Sequence, residues 1–340
     1  MNIIETKGLS KSYQSPLKEA GVRGAIKHLF KPEHKNIVAV SDVNLSIEAG
    51  ESVAYVGPNG AGKSTTIKML TGILLPSGGE IRINGLHPYK ERMRSNKNIG
   101  VVFGQRTQLW WDIPVIESFA LLRDIYEVPE KVYKDNLAYF TEMLGLKEIL
   151  NQSARRLSLG QRMRADLAVA LMHNPAIAFL DEPTIGLDVA VKERIREFLK
   201  LVNRERGVTI MLTSHDLGDI EDVCRRFIII DMGRIIYDGS IQGLLDKYVK
   251  ERSIRISASS KIDEAATVKA LPVGMRVALA SDREITVMFD RFKYTAKNVL
   301  EIMMKTVDVA DFQLDEPDIE QVVKNVYEGH LELADEDKKA

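Results

Sequence analysis

The sequence predicts an α/β protein whose larger domain is built on buried parallel strands, followed by a smaller α+β domain. Three observations predict it. The apolar run Val53–Val56 leads into a glycine-rich loop and then a helical stretch. A second apolar run, Ile177–Leu180, ends in two carboxylates. Beyond Tyr248 the pattern changes to short strands interleaved with amphipathic helices. Continuous apolar runs belong to strands covered on both faces, as in parallel sheets. A chain of 340 residues also exceeds one small core, so an appended domain is expected on length alone.

Hydrophobic residues at 45% and charged residues at 28% suit a globular chain rather than a disordered one. Lys plus Arg (47) nearly balances Asp plus Glu (48), so no global field recruits nucleic acid, and any basic patch must be local. The one cysteine, Cys224, excludes an internal disulfide and reads as a buried filler in a reducing compartment. No apolar run approaches the roughly 18–20 residues that cross a bilayer. The run Arg226–Asp231 is strand-sized, and the N-terminus lacks the apolar core of a signal peptide. The chain is therefore expected neither to span a membrane by itself nor to be exported.

The most informative stretch is Gly57, Pro58, Asn59, Gly60, Ala61, Gly62, Lys63 and Ser64, followed by Thr65. It reads G-x-x-x-x-G-K-S between the strand Val53–Val56 and a helix expected over about Lys63–Leu70, which is the context a phosphate-binding loop requires. Glycines permit positive φ, so successive N–H groups can turn toward phosphate oxygens, and the helix N-terminus adds partial positive charge. Lys63 is expected to bridge the β- and γ-phosphates and Ser64 to ligate Mg²⁺. A chain of this length meets the pattern by chance roughly once in a hundred. Strand Ile177–Leu180 then delivers Asp181, expected to hold Mg²⁺ through water, and Glu182, expected to polarise the attacking water. The tetrapeptide Leu-Asp-Glu-Pro recurs at Leu314–Pro317, but it follows a run containing Asp311 and Gln313 and has no second phosphate loop. Asp315 and Glu316 are read instead as the acidic start of a C-terminal helix.

A second stretch, Arg155–Arg162, raises a question of its own. Ser158 is placed to cap a helix with Gln161 reaching back, and Gly160 permits a close approach, all about a hundred residues beyond the phosphate loop. The phosphate loop, Gly104-Gln105, Leu157–Gln161, Asp181-Glu182, Gly186–Asp188 and the stretch around His215 occur in the order found in ATP-binding cassettes. Over roughly residues 3 to 245 the chain resembles the nucleotide-binding subunit of an ABC transporter, most like exporters of the drug and antibiotic type.

The resemblance implies a RecA-like P-loop core with an antiparallel β subdomain and a helical subdomain. It also implies a site shared between two cassettes packed head to tail. Ser158, Gly160 and Gln161 of one copy would then meet the γ-phosphate held by the other, with a helix expected from about Gln161 to Met172 aimed at it. Tyr13 matches the aromatic that stacks on adenine. Gln105 matches the residue that senses Mg²⁺ and the attacking water, and His215 the one that touches the γ-phosphate. Asp188 would reach across the dimer seam. Leu159 departs from the family pattern, which usually has a second glycine there. At positive φ a leucine is strained by about 1–2 kcal/mol, whereas at negative φ it costs nothing and is free to pack against the partner.

The boundaries expected from sequence are a cassette over residues 1–248, with an insert at 15–36 and a helical subdomain over about 107–172. A ferredoxin-like unit over 249–330 follows, with β-α-β-β-α-β order and a final helix over Ile319–Tyr327, and then a frayed tail at 331–340. In the insert Val22, Ile26, Leu29 and Phe30 share a helical face among an excess of basic residues. It lies either against a bilayer surface or transmembrane partner, or as a solvated face. Trp110 and Trp111 are either anchors for a membrane subunit or core residues.

The function expected is ATP hydrolysis by two copies that drive a separate transmembrane permease from the cytoplasmic face of the membrane, exporting a drug, antibiotic, lipid or polysaccharide-type substrate, with no nucleic-acid partner. The rivals are a soluble ABC protein of the translation or DNA-repair kind and a non-catalytic regulatory cassette. Against the first stand a single phosphate loop and the lack of sustained heptads; against the second, the presence of Glu182, His215 and Gln105.

Overall fold

The long strands β1 (Asn2–Pro16) and β2 (His34–Glu48) pair antiparallel from Asn2↔Glu48 to Pro16↔His34. The computed structural model describes residues 2–16, 34–104, 106–214, 221–315 and 322–324. By contact the chain divides into Met1–Ser240 and Ile241–Ala340. Most of the insert expected at 15–36, the tail, the catalytic candidates Gln105 and His215, and most of the expected C-terminal helix lie outside the described residues; the ends of the insert belong to β1 and β2.

In the first unit β3 (Ser52–Val56) is buried along its whole length and runs through the loop into helix α1 (Lys63–Leu70). Strand β4 (Gly78–Ile83) returns to β1 and completes a three-stranded antiparallel sheet in the order β2-β1-β4. Helix α2 (Arg92–Asn96) leads to β5 (Ile99–Phe103). Two amphipathic helices, α3 (Val115–Ile125) and α4 (Glu130–Met143), then form where the apolar spacing predicts helix. Helix α5 (Leu159–Leu171) is buried on nearly every side from Ala165 onward, and it precedes β6 (Ile177–Asp181). Helix α6 (Val189–Arg206) buries one stripe, Ile195, Phe198, Leu199 and Val202. It ends among Arg204 and Arg206, where cations suit the helix dipole.

Strands β7 (Thr209–Thr213), β8 (Arg226–Asp231) and β9 (Arg234–Ser240) complete a six-stranded sheet in the order β5-β6-β7-β3-β8-β9. Its neighbours are parallel except for β8 and β9. The parallel strands end at one edge of the sheet, where open α/β sheets bind ligands. Cys224 is buried beside Ser52, and burial pushes its thiol up to about 12, so it is a filler as expected.

The second unit opens with α7 (Ile241–Tyr248) and continues as β10 (Glu251–Ala258), α8 (Glu264–Ala270), β11 (Met275–Ala280), β12 (Glu284–Asp290), α9 (Ala296–Met303) and β13 (Val309–Asp315). Its antiparallel sheet has the order β11-β12-β10-β13. Alternate residues Ile254 and Ile256, and Ile285, Val287 and Phe289, face a core closed by Val299 and Met303.

Three local expectations are corrected. Asp315 does not start a helix. It is the last residue of β13, opposite Ser253, whose hydroxyl donates to its carboxylate at 3.2 Å, because pairing with β10 continues to that point. Helix α5 starts at Leu159 rather than Gln161, since Ser158 already caps it. Strand β6 runs one residue further than expected and includes Asp181. Tyr13 lies within β1, paired with Ile37.

Gly100 shows how tightly the fold sets the path of β5. A Cβ there would collide with the carbonyl oxygen of Ala170 on α5, which is backbone and cannot swing aside. Gly100→Ala is expected to lower stability by about 1–3 kcal/mol or more, as overpacking does, in a denaturant titration of the full chain. An unchanged midpoint would mean that β5 and α5 separate freely.

Candidate nucleotide-binding and hydrolysis site

The loop between β3 and α1 is fixed by backbone packing. A side chain at Gly57 would collide with the Ile230 carbonyl, and one at Gly62 would lie 2.5 Å from the Ala39 carbonyl. Gly62 also sits at φ 109 as the N-cap of α1, with no side chain capping that helix. The first-turn N–H groups of a helix have no partner inside it, so those of Lys63, Ser64 and Thr65 are left to a ligand. Asn59 and Gly60 are exposed at the tip. The Lys63 ammonium donates to the carbonyls of Gly57 at 2.5 Å and Pro58 at 3.2 Å, closing the loop on itself. Burial holds its pKa below the usual lysine range, against the pull of the Glu182 and Asp181 charges.

Asp181 and Glu182 lie at the end of β6, next to β7. The register pairs Asp181 with Thr213, and the Thr213 hydroxyl donates to Oδ1 of Asp181 at 2.6 Å. The same hydroxyl oxygen accepts the Glu182 N–H at 3.1 Å, and the Thr213 carbonyl lies 3.2 Å from that nitrogen. Glu182 is held at φ 56, a backbone region that costs a non-glycine residue of order 1–3 kcal/mol and is kept where its surroundings enforce it. Gly104 permits this, because a Cβ there would lie 2.5 Å from the Glu182 carbonyl, while its own N–H donates to Asp181 O at 2.8 Å. An ammonium, a glycine-lined helix N-terminus, a serine hydroxyl and a buried carboxylate form a donor set suited to a nucleoside triphosphate with its divalent cation. Ser64 and Asp181 would hold that cation. Gln105, the third ligand expected, lies outside the described residues.

The stretch Arg155–Arg162 holds a complete capping box. Ser158 Oγ accepts the Gln161 N–H at 3.2 Å, and Gln161 Oε1 accepts the Ser158 N–H at 2.9 Å. Gln161 is therefore turned back on its own helix, while accepting a bond leaves the exposed serine hydroxyl its proton to donate. Leu159 is helical and carries no positive φ, so it is unstrained; its Cδ2 lies 3.3 Å from where a Cβ of Gly186 would be. Gly160 admits Val191, whose methyl groups stand 3.3 and 3.4 Å from where its Cβ would be. Asp188 caps α6 by accepting the Val191 N–H at 2.9 Å, an additional role for the residue expected at the dimer seam.

Tyr13 is 41% exposed, and the Lys11 ammonium lies over one face of its ring, 5.3 Å from the centre. Trp110 and Trp111 are 41% and 53% exposed, which excludes the core alternative. The structure thus brings together Lys63, Asp181, Glu182 and Thr213. The hydrogen bonds of the Ser158 box are made within the box itself, on an exposed helix start. Thr213 was not singled out from sequence. Its place opposite Asp181 depends on which strands pair and where they end, which the sequence does not show.

Fold and site together define a P-loop nucleotide hydrolase. A family model described as ABC transporter matches residues 40–185. The chain is 34% identical over 224 residues to the ABC transporter ATP-binding protein NatA of Bacillus subtilis (strain 168), covering 66% of this chain and 89% of that protein. It is 30% identical over 292 residues to the linearmycin resistance ATP-binding protein LnrL of the same organism, covering 84% and 93%. It is also 31% identical to the methionine import ATP-binding protein MetN 2 of Enterococcus faecalis (strain ATCC 700802 / V583), covering 72% of each. Among solved structures, a dimeric post-hydrolysis state of the ATP-binding cassette MJ0796 bound to ADP and Pi matches with TM-score 0.59 and 27% identity, over 70% of this chain and 98% of that one. The chain belongs to the ATP-binding proteins of ABC transporters and is an ABC ATPase.

Thr213→Val keeps the branched shape in β7 but removes the hydroxyl that joins Asp181 to Glu182. Losing a hydrogen bond to a charged group, worth about 1.5–3 kcal/mol, is expected to lower ATP turnover by roughly one to two orders of magnitude. Thr213→Ser should stay near wild type in the same phosphate-release assay. Equal turnover in Thr213→Val would remove the bridge from the mechanism.

Proposed function

We propose that two copies of this chain close head to tail around two ATP molecules and that hydrolysis, by letting them reopen, drives a separate transmembrane permease. One observation carries this reading. Among the described residues two helix starts are suited to phosphate: that of α1 is uncapped and lies in a glycine cradle, while that of α5 presents the exposed serine that caps it. One supplies the pocket and the other a hook for a phosphate held elsewhere. The MJ0796 cassette, a dimer bound to ADP and Pi, supports the same arrangement.

In this arrangement the first-turn N–H groups of α1 and the Lys63 ammonium bind the phosphates. Asp181 and Ser64 would hold Mg²⁺, which when bound offsets phosphate charge. Glu182, set by its strained turn and by Thr213, accepts a proton from water. Ser158 and the Gly160 N–H of the other copy bind the γ-phosphate, with Asp188 at the seam, and Tyr13 stacks on adenine. His215 and Gln105 keep the roles the resemblance gives them. Losing the γ-phosphate removes contacts from both sides, so the closed dimer loses its advantage.

Export is the direction proposed, of a drug- or antibiotic-type substrate. The match to the linearmycin resistance protein reaches over 84% of this chain and supports it. Among the described residues no helix is long and apolar enough to cross a membrane, which supports peripheral attachment through a permease on the cytoplasmic face. The exposed Trp110 and Trp111 are the proposed contact. The element and strand order of the second unit supports a ferredoxin-like accessory domain.

Glu182→Gln is expected to reduce turnover by about two to four orders of magnitude, the usual contribution of a general base, while Mg·ATP gathers the chain into dimers seen by light scattering. In otherwise wild-type protein, Ser158→Phe should abolish turnover and leave ATP binding to each chain largely intact. A Ser158→Phe chain that turns over normally would refute the hook.

A further inference from the structure

The loop that follows Gln105 is fastened at three places, two on α5 and one just ahead of it. Thr107 Oγ1 donates to Oδ1 of Asp166 at 2.9 Å, and the Gln108 N–H donates to the same oxygen at 2.9 Å. Four residues earlier on the helix, the Arg162 guanidinium lies over the Trp111 ring at 5.3 Å. Ahead of the helix, Arg155 donates its backbone N–H to the Trp111 carbonyl and its guanidinium to Asp112, each at 3.1 Å. The helix that Ser158 caps therefore carries, along its flank, the loop that bears both exposed tryptophans.

Asp166 is the buried member of the set, at 4% exposure, among Met163, Ala165 and Leu167 on the core-facing part of α5. Arg155 and Asp112 are open to water, where ion pairs hold weakly. A carboxyl in apolar surroundings is unfavourable unless bonds compensate it, and charge-assisted bonds away from water are the stronger kind. Burial pushes its pKa up to about 6, opposed by the Gln108 N–H, the Thr107 hydroxyl and Arg162. An apolar residue would serve the core better, so the carboxyl is explained by what it holds.

We propose that Asp166 is a positioning residue that pins residues 106–112 to α5, so that Trp110, Trp111 and the Ser158 hook move as one body. A transmembrane partner pressing on the tryptophans then shifts the hook directly, and closure of the hook on a phosphate moves the tryptophans. The link to hydrolysis rests on the reading of Ser158 given under Proposed function; the pin itself does not.

The protein's two tryptophans are both in this loop, so its tryptophan emission reports the loop alone. In the nucleotide-free full chain, Asp166→Ala is expected to lose much of the residual anisotropy of that emission as the loop gains nanosecond motion. Thr107→Val should lose part of it. Asp166→Asn, whose amide oxygen accepts the same two bonds, should retain it. Wild-type anisotropy in both Asp166→Ala and Thr107→Val overturns the proposal, and Thr107→Val decides alone if Asp166→Ala does not accumulate.

In the Glu182→Gln background, Mg·ATP is expected to shift the emission as the hook engages. Adding Asp166→Ala should abolish that shift while the ATP-held dimer persists by light scattering. A shift that survives in that dimer also overturns the pin. Failure of Glu182→Gln to dimerise counts against the hook instead, and the anisotropy comparison then stands as the test of the pin.

Discussion

Helix α1 begins at a glycine with φ 109 and no capping side chain, beneath a loop that packing keeps free of Cβ atoms at Gly57 and Gly62. Helix starts usually satisfy their N–H groups locally, by a serine, threonine or aspartate side chain. Helices α5 and α6 do so, through Ser158 and Asp188. The start of α1 leaves the task to phosphate. What sets it apart from the other uncapped starts is that the buried Lys63 and the carboxylates beyond it surround this terminus with the charges a nucleotide and its cation require.

The six-stranded sheet makes this arrangement rigid. β3 lies between β7 and β8, so the phosphate loop, the Thr213 hydroxyl and the carboxylates of β6 all hang from adjacent strand ends. Gly100 and Gly104 show how little slack remains between this sheet and its neighbours, since each admits a backbone carbonyl where a side chain would stand. Strain at Glu182 is tolerated because Thr213 and Gly104 hold it from opposite sides. The start of α5, by contrast, is exposed and capped by its own Ser158 and Gln161, which leaves the serine proton and the Gly160 N–H for the proposed contact with a partner.

Much of this was legible in the chain. The phosphate loop and the carboxylates at the end of β6 could be read because glycine, lysine and acid at fixed spacing have few other uses. Ser158 and Gln161 could be read as a cap because the three-residue interval is geometric. Leu159 could not be settled, since φ at a helix start depends on where the helix begins, and the structure begins it at that residue. Asp315 was misread because an acidic residue before a helical pattern looks like a helix start, while its pairing with Ser253 is made across strands distant in sequence. Thr213 and Asp166 were passed over for the same reason. Their roles come from partners 32 and 59 residues away, which local pattern does not show.

The division of the site between two copies is tested most directly by mixing two inactive variants. A Lys63→Ala chain keeps its hook but loses its cradle, and a Ser158→Phe chain keeps its cradle but loses its hook. Each alone should be nearly silent in a phosphate-release assay. Mixed, they can assemble one intact site from the cradle of one and the hook of the other, and turnover should return. If the mixture stays as silent as its components while gel filtration shows that the two chains associate, the site is not shared and the account fails.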